Sequence, residues 1–281
     1  MGLIGGSIGL QLRSTGRYRV YGSDTNPLHE QAALERGLMD ERLTGANIPR
    51  MNGIIISVPV DALPRTTAYY LDRIHPDAWL TDTGSIKFPL ARHLAAHPRR
   101  RQLVLAHPIA GTEYSGPQAA VPGLFRGKIN ILCDTAQSAP AALNAVKELF
   151  GQDLEMDLYE MDAATHDRHI AYVSHLSHVS AFMLGKTVMD NEPDEKNIFL
   201  MAGSGFASTV RLAKSSPATW TPIFTGNREH LLPVLRAYMK NLELFIDLLE
   251  QNNEQKIRDL LTEINYIGQV IDRIQGKHGK Q

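Results

Sequence analysis

Short β-branched runs alternate with stretches of helical spacing through the first half of the chain: RVYGSD then PLHEQAALERG, GIIISVP then DALPRTTAYYLDRI, WLTD, LVLAHP, and INILCD then APAALNAVKELFG. This alternation predicts a parallel sheet with helices on both faces over residues 1–157. The runs end at Asp24, Pro59, Asp82 and His107, each followed by a turn. Ligands of open α/β sheets bind outside the carboxyl ends of the strands, so these four ends are expected to line one crevice. Past Leu158 the pattern becomes helical, interrupted at residues 191–193, 203–205 and 215–217. The expected fold class is therefore α/β then all-α, the second domain covering 158–281. In its last part apolar residues recur at Leu231, Leu235, Tyr238, Leu242, Phe245 and Leu249, then at Ile257, Leu260, Ile264, Ile267, Ile271 and Ile274. Threes and fours alternate almost throughout, which predicts two long helices meeting along a narrow seam. The seam is either an intramolecular hairpin or a dimer interface built on one. Its length, with few other helices left to cover it, favours a homodimer through the C-terminal helices.

Charge and composition remove several alternatives. Of 281 residues, 29 are basic and 30 acidic, a formal charge of −1, so no overall field draws the chain to nucleic acid or to an anionic membrane. The single cysteine, Cys133, excludes an internal disulfide and a thiolate zinc site, and fits a reducing compartment, by default the cytoplasm. The longest strongly apolar run, GIIISVPV at 53–60, falls far short of the roughly 18 residues of a spanning helix. The opening MGLIGGSIGL lacks the basic flank and cleavage site of a secretory signal, and Gly6 stands where an acylation motif has Ser or Thr. It reads as structure.

That opening carries chemistry. Gly2-Leu3-Ile4-Gly5, running into a helical pattern, matches the last two glycines of G-x-G-x-x-G. The first of these lets backbone approach a pyrophosphate, the second lets the helix pack close to a strand, and the helix N-terminus faces the phosphates. Asp24 ends the next strand about 20 residues on, where a carboxylate accepts from ribose hydroxyls and repels a 2′-phosphate. The pattern predicts a Rossmann-like domain binding NAD rather than NADP, with Ser57, Val58 and Pro59 at the next strand end joining the cofactor site. The fingerprint's first glycine and the strand before it would lie ahead of Met1. The expectation is thus a sheet lacking a central strand. Four or five buried aliphatic side chains at about 1.5–3 kcal/mol each would rival a domain stability of about 5–15 kcal/mol, so the domain is expected to be weakened.

Four further segments stand in order along the chain: TDTGSIK (81–87), AHPIAGTEYSG (106–116), HDRHIAYVSHLSH (166–178) and GSGFASTVRLAKSSPATW (203–220). Together with the glycine turn they resemble the prephenate/arogenate dehydrogenase family over nearly the whole chain. The resemblance implies oxidative decarboxylation of prephenate: hydride leaves the ring carbon bearing the hydroxyl, CO2 departs, and the ring becomes aromatic. Such an enzyme has to accept the hydroxyl proton, hold two carboxylates and fix the ring against nicotinamide. A neutral imidazole suits the first task, and His107 matches the family's catalytic histidine. Ser85 matches the serine that orients it. Thr112 and Glu113 stand where the family shapes the substrate pocket, Glu113 as a gate or a partner for a basic group. Arg211 matches an arginine whose planar fork grips a substrate carboxylate. Trp220 is a pocket wall or a core residue.

The histidines at 166, 169, 175 and 178 also suggest a metal. On an unbroken helix at about 100° per residue they fall near 0°, 300°, 180° and 120°, too scattered to converge on one ion. No HExxH or cysteine pair is present, so no metal is expected. Ser174 and His178 share a face and are the expected substrate contacts; His166 and His175 are left between a supporting and a structural role, and His169 is expected to be solvated. The family's GGGF-x-D reads GSGFAS here, with Ser204 and Ser208 at the altered positions. Two other readings stand beside prephenate oxidation: arogenate oxidation, which differs by a keto-for-amino exchange on the substrate, and an inactive nucleotide-binding paralogue. A β-hydroxyacid dehydrogenase shares the two-domain plan but leaves HPIAGTE unexplained.

Overall fold

The glycine-rich start folds as helix α1 (Leu3–Ser14), which buries Leu3, Ile8 and Leu12. Its partners follow in chain order: β1 (Tyr21–Gly22), α2 (Pro27–Glu35), β2 (Glu41–Arg42), β3 (Gly53–Ile56), α3 (Leu63–Leu71), β4 (Trp79–Asp82), α4 (Phe88–Leu94), β5 (Leu103–Pro108), β6 (Ile129–Cys133), α5 (Pro140–Glu148) and β7 (Asp157–Met161). This computed structural model describes residues 1–112, 114–191 and 197–278, with side chains as far as Asp272 in the last helix. Strand β5 is buried along its whole length, as a strand covered on both faces must be. Leu103 and Leu105 join a cluster with Ile54, Ile56, Leu80, Leu90 and Leu94. Val104 and Ala106 join another, with Ile8 and Leu12 of α1 and Ala142 and Val146 of α5.

Every strand read from the sequence is present, with three differences. First, the strands form two sheets, β1-β2 and β3-β4-β5-β6-β7. In a dinucleotide-binding sheet the place between β1 and β3 is central; no strand joins the two sheets there among the described residues. Second, β2 and β7 were not legible. Glu41-Arg42 is short and polar, and the edge strand DLYEM is mostly exposed, so neither shows an apolar period. Third, β6 runs antiparallel to β5 while β7 runs parallel to β6. A parallel crossover needs a covering helix, and the 109–128 connection carries only the 3-10 turn Pro117–Ala119 among its described residues.

The helical part continues with α6 (Ala163–Ile170), a single π-helical turn (Ala171–His175) and α7 (Leu176–Asn191), then α8 (Ser204–Thr209) and α9 (Pro217–Gly226). These belong to one compact unit with the sheets, Met1–Arg228; Glu229–Gln281 forms another. The second unit holds the body of α10 (Arg228–Glu250), α11 (Glu254–Ile264) and α12 (Ile267–His278). The second predicted seam helix is therefore two helices. α11 is capped by the Asn253 side chain, which accepts from Lys256 N–H at 3.1 Å, and it ends at Asn265, whose carbonyl then takes the Gly268 amide. Leu242, Leu249, Ile264, Ile267 and Ile271 of the seam are exposed in the single chain.

One buried ion pair ties three elements of the α/β unit together. Lys87 and Asp82 are both fully buried. The Lys87 ammonium contacts the Asp82 carboxylate and donates to the Ala106 carbonyl at 2.6 Å, while Asp82 accepts from Gly84 N–H at 2.9 Å and Ala106 N–H at 3.3 Å. The end of β4, the entry to α4 and the end of β5 are thereby fixed. Removing one member of such a pair strands a buried charge, at about 3–5 kcal/mol. Lys87→Met is thus expected to lower the stability measured by chemical denaturation by about that amount, and Lys87→Met with Asp82→Asn by distinctly less. A single variant as stable as the double would contradict the pairing.

Candidate active site

The cofactor side of the crevice is built from backbone. α1 starts at Gly2, whose extended conformation brings no side-chain cap to the first amides. A Cβ on Gly5 would sit 3.3 Å from the Ser57 Cβ, and one on Gly2 would sit 3.9 Å from the Gly116 amide nitrogen. The glycine turn therefore lies against the end of β3 and beside the loop that follows His107. Ser57 is tied to the next strand end by the Thr83 hydroxyl at 3.0 Å. Val58 packs on the core and the Pro59 carbonyl accepts the Ala62 and Leu63 amides that open α3. Asp24 follows β1 and accepts from the Asn26 amide at 2.9 Å and the Met1 ammonium at 2.6 Å. Burial acts to raise its carboxyl, but these donors outweigh it and hold the group below its ordinary range.

His107 occupies the end of β5 and is almost wholly buried. Its Nδ1 lies 2.8 Å from His166 Nε2, and His166 Nδ1 lies 2.7 Å from Asp167 Oδ1. Asp167 also accepts the Lys87 N–H at 2.7 Å and the Phe88 N–H at 2.9 Å, at the entry to α4. Its own carbonyl takes the Asn227 amide at 2.8 Å, and that amide reaches His175 Nδ1 at 3.1 Å. Burial, followed by the neighbouring His166, Lys87 and His175, pushes His107 well below the ordinary histidine value. The imidazole is therefore neutral at neutral pH. Burial likewise brings His175 down to about 4.

The π turn overturns the angular reading of the four histidines. A turn of that kind adds one residue, which carries every later side chain back by about 100°. His175 and His178 move from about 180° and 120° to about 80° and 20° from His166, onto one side of the helix. His166 and His175 are buried accordingly, while His169 stays exposed. His178 donates from Nδ1 to the Ser174 carbonyl at 3.0 Å and stacks on Trp220 with ring centres 3.4 Å apart. Burial lowers its pKa, and Arg211 adds to the effect, so that guanidinium lies within electrostatic reach. Among the described residues no group of three His, Cys, Asp or Glu is arranged to hold a metal ion.

Of the residues expected at the site, His107 joins a network that runs through His166, Asp167 and Asn227 to His175, which like His178 contacts the Trp220 ring; the Ser174 carbonyl accepts from His178, and Arg211 acts on it electrostatically. Ser85 sits on the loop between Gly84 and Lys87, but the hydrogen bond that fixes the His107 ring is shared with His166 instead. Thr112 is exposed and accepts the Tyr114 amide at 3.3 Å. Glu113 lies outside the described residues. Lys87, Asp167 and Asn227 were missed as supporting groups; the one available signal was Asp167 next to His166 in HDRH.

The chain matches the nucleotide-binding domain model of prephenate dehydrogenase over residues 8–153 and the dimerization domain model over 162–263. It is 28% identical over 263 residues to the prephenate dehydrogenase of Bacillus subtilis, covering 92% of this chain and 70% of that one. Against the cyclohexadienyl dehydrogenase of Zymomonas mobilis it is 30% identical over 191 residues, covering 68% and 65%. The crystal structure of the Aquifex aeolicus prephenate dehydrogenase with hydroxyphenyl propionate and NAD+ superposes with a TM-score of 0.89 at 30% identity, covering 96% of each chain. Synechocystis arogenate dehydrogenase gives a TM-score of 0.80 at 26% identity, covering 96% and 97%. With two domain models matched in order on a nucleotide-binding sheet followed by helices, the chain belongs to the prephenate dehydrogenase family.

Proposed function

We propose that the chain oxidises prephenate to 4-hydroxyphenylpyruvate with NAD, in tyrosine biosynthesis in the cytoplasm, and that His107 accepts the hydroxyl proton. The observation that carries this reading is the buried, neutral imidazole at the end of β5, held from its Nδ1 side and lying one loop away from the glycine turn. The first turn of α1, Gly5 packed on Ser57, and the Asp24 carboxylate fit a dinucleotide. Gly2, Leu3, Ile4 and Gly5 would hold its pyrophosphate, Asp24 its ribose, and Ser57, Val58 and Pro59 the wall beside it. Bound NAD supplies the hydride acceptor. A carboxylate at Asp24 disfavours a 2′-phosphate, which supports NAD over NADP.

The remaining tasks fall to the helical side. Arg211 grips a substrate carboxylate through its planar fork, and His178, Ser174 and Thr112 complete the pocket, with Trp220 stacked behind His178. Glu113 takes the role of gate or partner to a basic group. The expected division at 157/158 cuts β7, so the cofactor domain is taken through Met161, with the substrate and dimerisation domain after it, a division supported by the two family matches. A second reading, arogenate as substrate, is supported by the likeness to the Synechocystis enzyme.

NADH formation followed with prephenate, with arogenate and with no substrate tests the activity: prephenate is expected to be the better substrate, and silence with both contradicts the reading. His107→Asn is expected to lower kcat by about 10²–10⁴ with NAD affinity nearly intact. Because burial lowers the pKa of His107, the base stays unprotonated as pH falls past the ordinary value of about 6.5, and the acid limb of kcat/KM should appear below it. An acid limb above pH 7 would contradict that assignment.

The exposed seam and the dimerization-domain match support a homodimer through α10–α12. Light scattering should give the mass of two chains. Leu249→Asp with Ile264→Asp should shift it to one, and a native monomer would refute the interface.

A further inference from the structure

Three groups stand in line behind the reacting end of the crevice, and their donors and acceptors can be counted. The Asp167 carboxylate, fully buried, only accepts; it takes two backbone amides and the His166 Nδ1. His166 therefore carries its proton on Nδ1 and, when neutral, presents a bare Nε2. Two bare ring nitrogens do not sit 2.8 Å apart, so His107 has to donate from Nδ1, which leaves its Nε2 lone pair for the substrate. We infer that Asp167 is a positioning residue for the reaction: through His166 it selects the tautomer of His107 that can accept a proton at Nε2. This inference rests on His107 being the base.

The consequence extends to the product side of the proton transfer. When His107 Nε2 gains the hydroxyl proton, the new imidazolium still donates from Nδ1 to His166, and the positive charge faces the Asp167 carboxylate through one intervening ring. Other charged and titratable groups near the base, Lys87 and His175, disfavour that cation. Lys87 is itself paired with Asp82, and Asp167 is the acid on the His166 side of the base. Its place does not depend on the flexible end of a long side chain, because two backbone amides at the entry to α4 hold both carboxylate oxygens. The Asn227 amide on its main-chain carbonyl ties the same residue to His175, so the relay is braced from α9's end as well.

Nitrogen-15 NMR of the imidazoles in the native, unliganded chain reads the tautomers directly. The expected result is His107 protonated on Nδ1 and bare on Nε2, with His166 protonated on Nδ1; a proton on His107 Nε2 would overturn the inference. In Asp167→Asn one carboxylate oxygen becomes an amide nitrogen that opposes a backbone donor, the charge opposite His166 is lost, and the His107 tautomer is no longer held with Nε2 bare. The variant should then lose about 10²–10⁴ in kcat with KM and NAD affinity within a few-fold of native. Native kcat in this variant, with NAD still bound, would also overturn it. If Asp167→Asn fails to bind NAD, the native spectrum alone decides. Native tautomers as expected, with turnover of neither prephenate nor arogenate, would refute the proposed function and leave the relay standing.

Discussion

Two carboxylates without access to water, Asp82 and Asp167, have to be neutralised inside the α/β unit, and both are satisfied around Lys87. An isolated buried charge costs several kcal/mol, so the groups that satisfy it are held in place. Lys87 meets Asp82 with its ammonium and Asp167 with its backbone amide. The same ammonium takes the Ala106 carbonyl, one residue before His107. The end of β5, the start of α4 and the helix bearing His166 are thus registered against one another by buried polar groups. His107 is placed by this arrangement rather than by its own loop.

What the sequence made legible follows from how local each signal is. Strands such as GIIISVP and LVLAHP carry β-branched and apolar residues on both faces and read directly as buried parallel strands. The glycine turn reads as a cofactor motif because its spacing reflects backbone approach, and Gly5 does pack against Ser57. Features set by tertiary context did not read. The direction of β6 goes with a 109–128 connection that has no crossover helix among its described residues, and β7 is an exposed edge whose side chains need not be apolar. The α10 seam read correctly as helix, whereas the Asn265 stop between α11 and α12 has no proline or immediate glycine to announce it.

The histidine cluster marks the limit most clearly. Counting at 3.6 residues per turn scattered His166, His175 and His178, and a single π turn at Ala171–His175 gathers them. Nothing in AYVSH announces that turn. Ser85 shows the complementary case: a motif residue carried over from a family resemblance stands on the right loop, while the hydrogen bond assigned to it is made by a residue 59 positions from His107. Motif order identified the family; the donors and acceptors of individual side chains had to be read from their geometry.

The proposed function requires that His107 Nε2 receive the substrate's hydroxyl proton. A crystal structure of the chain with NAD and a hydroxyphenyl carboxylic acid that mimics the aromatic product tests it most directly. The phenolic oxygen is expected within hydrogen-bond reach of His107 Nε2, about 2.6–3.2 Å, with His107 Nδ1 still on His166. A phenolic oxygen bonded to another side chain, with His107 Nε2 turned into the protein, would contradict it.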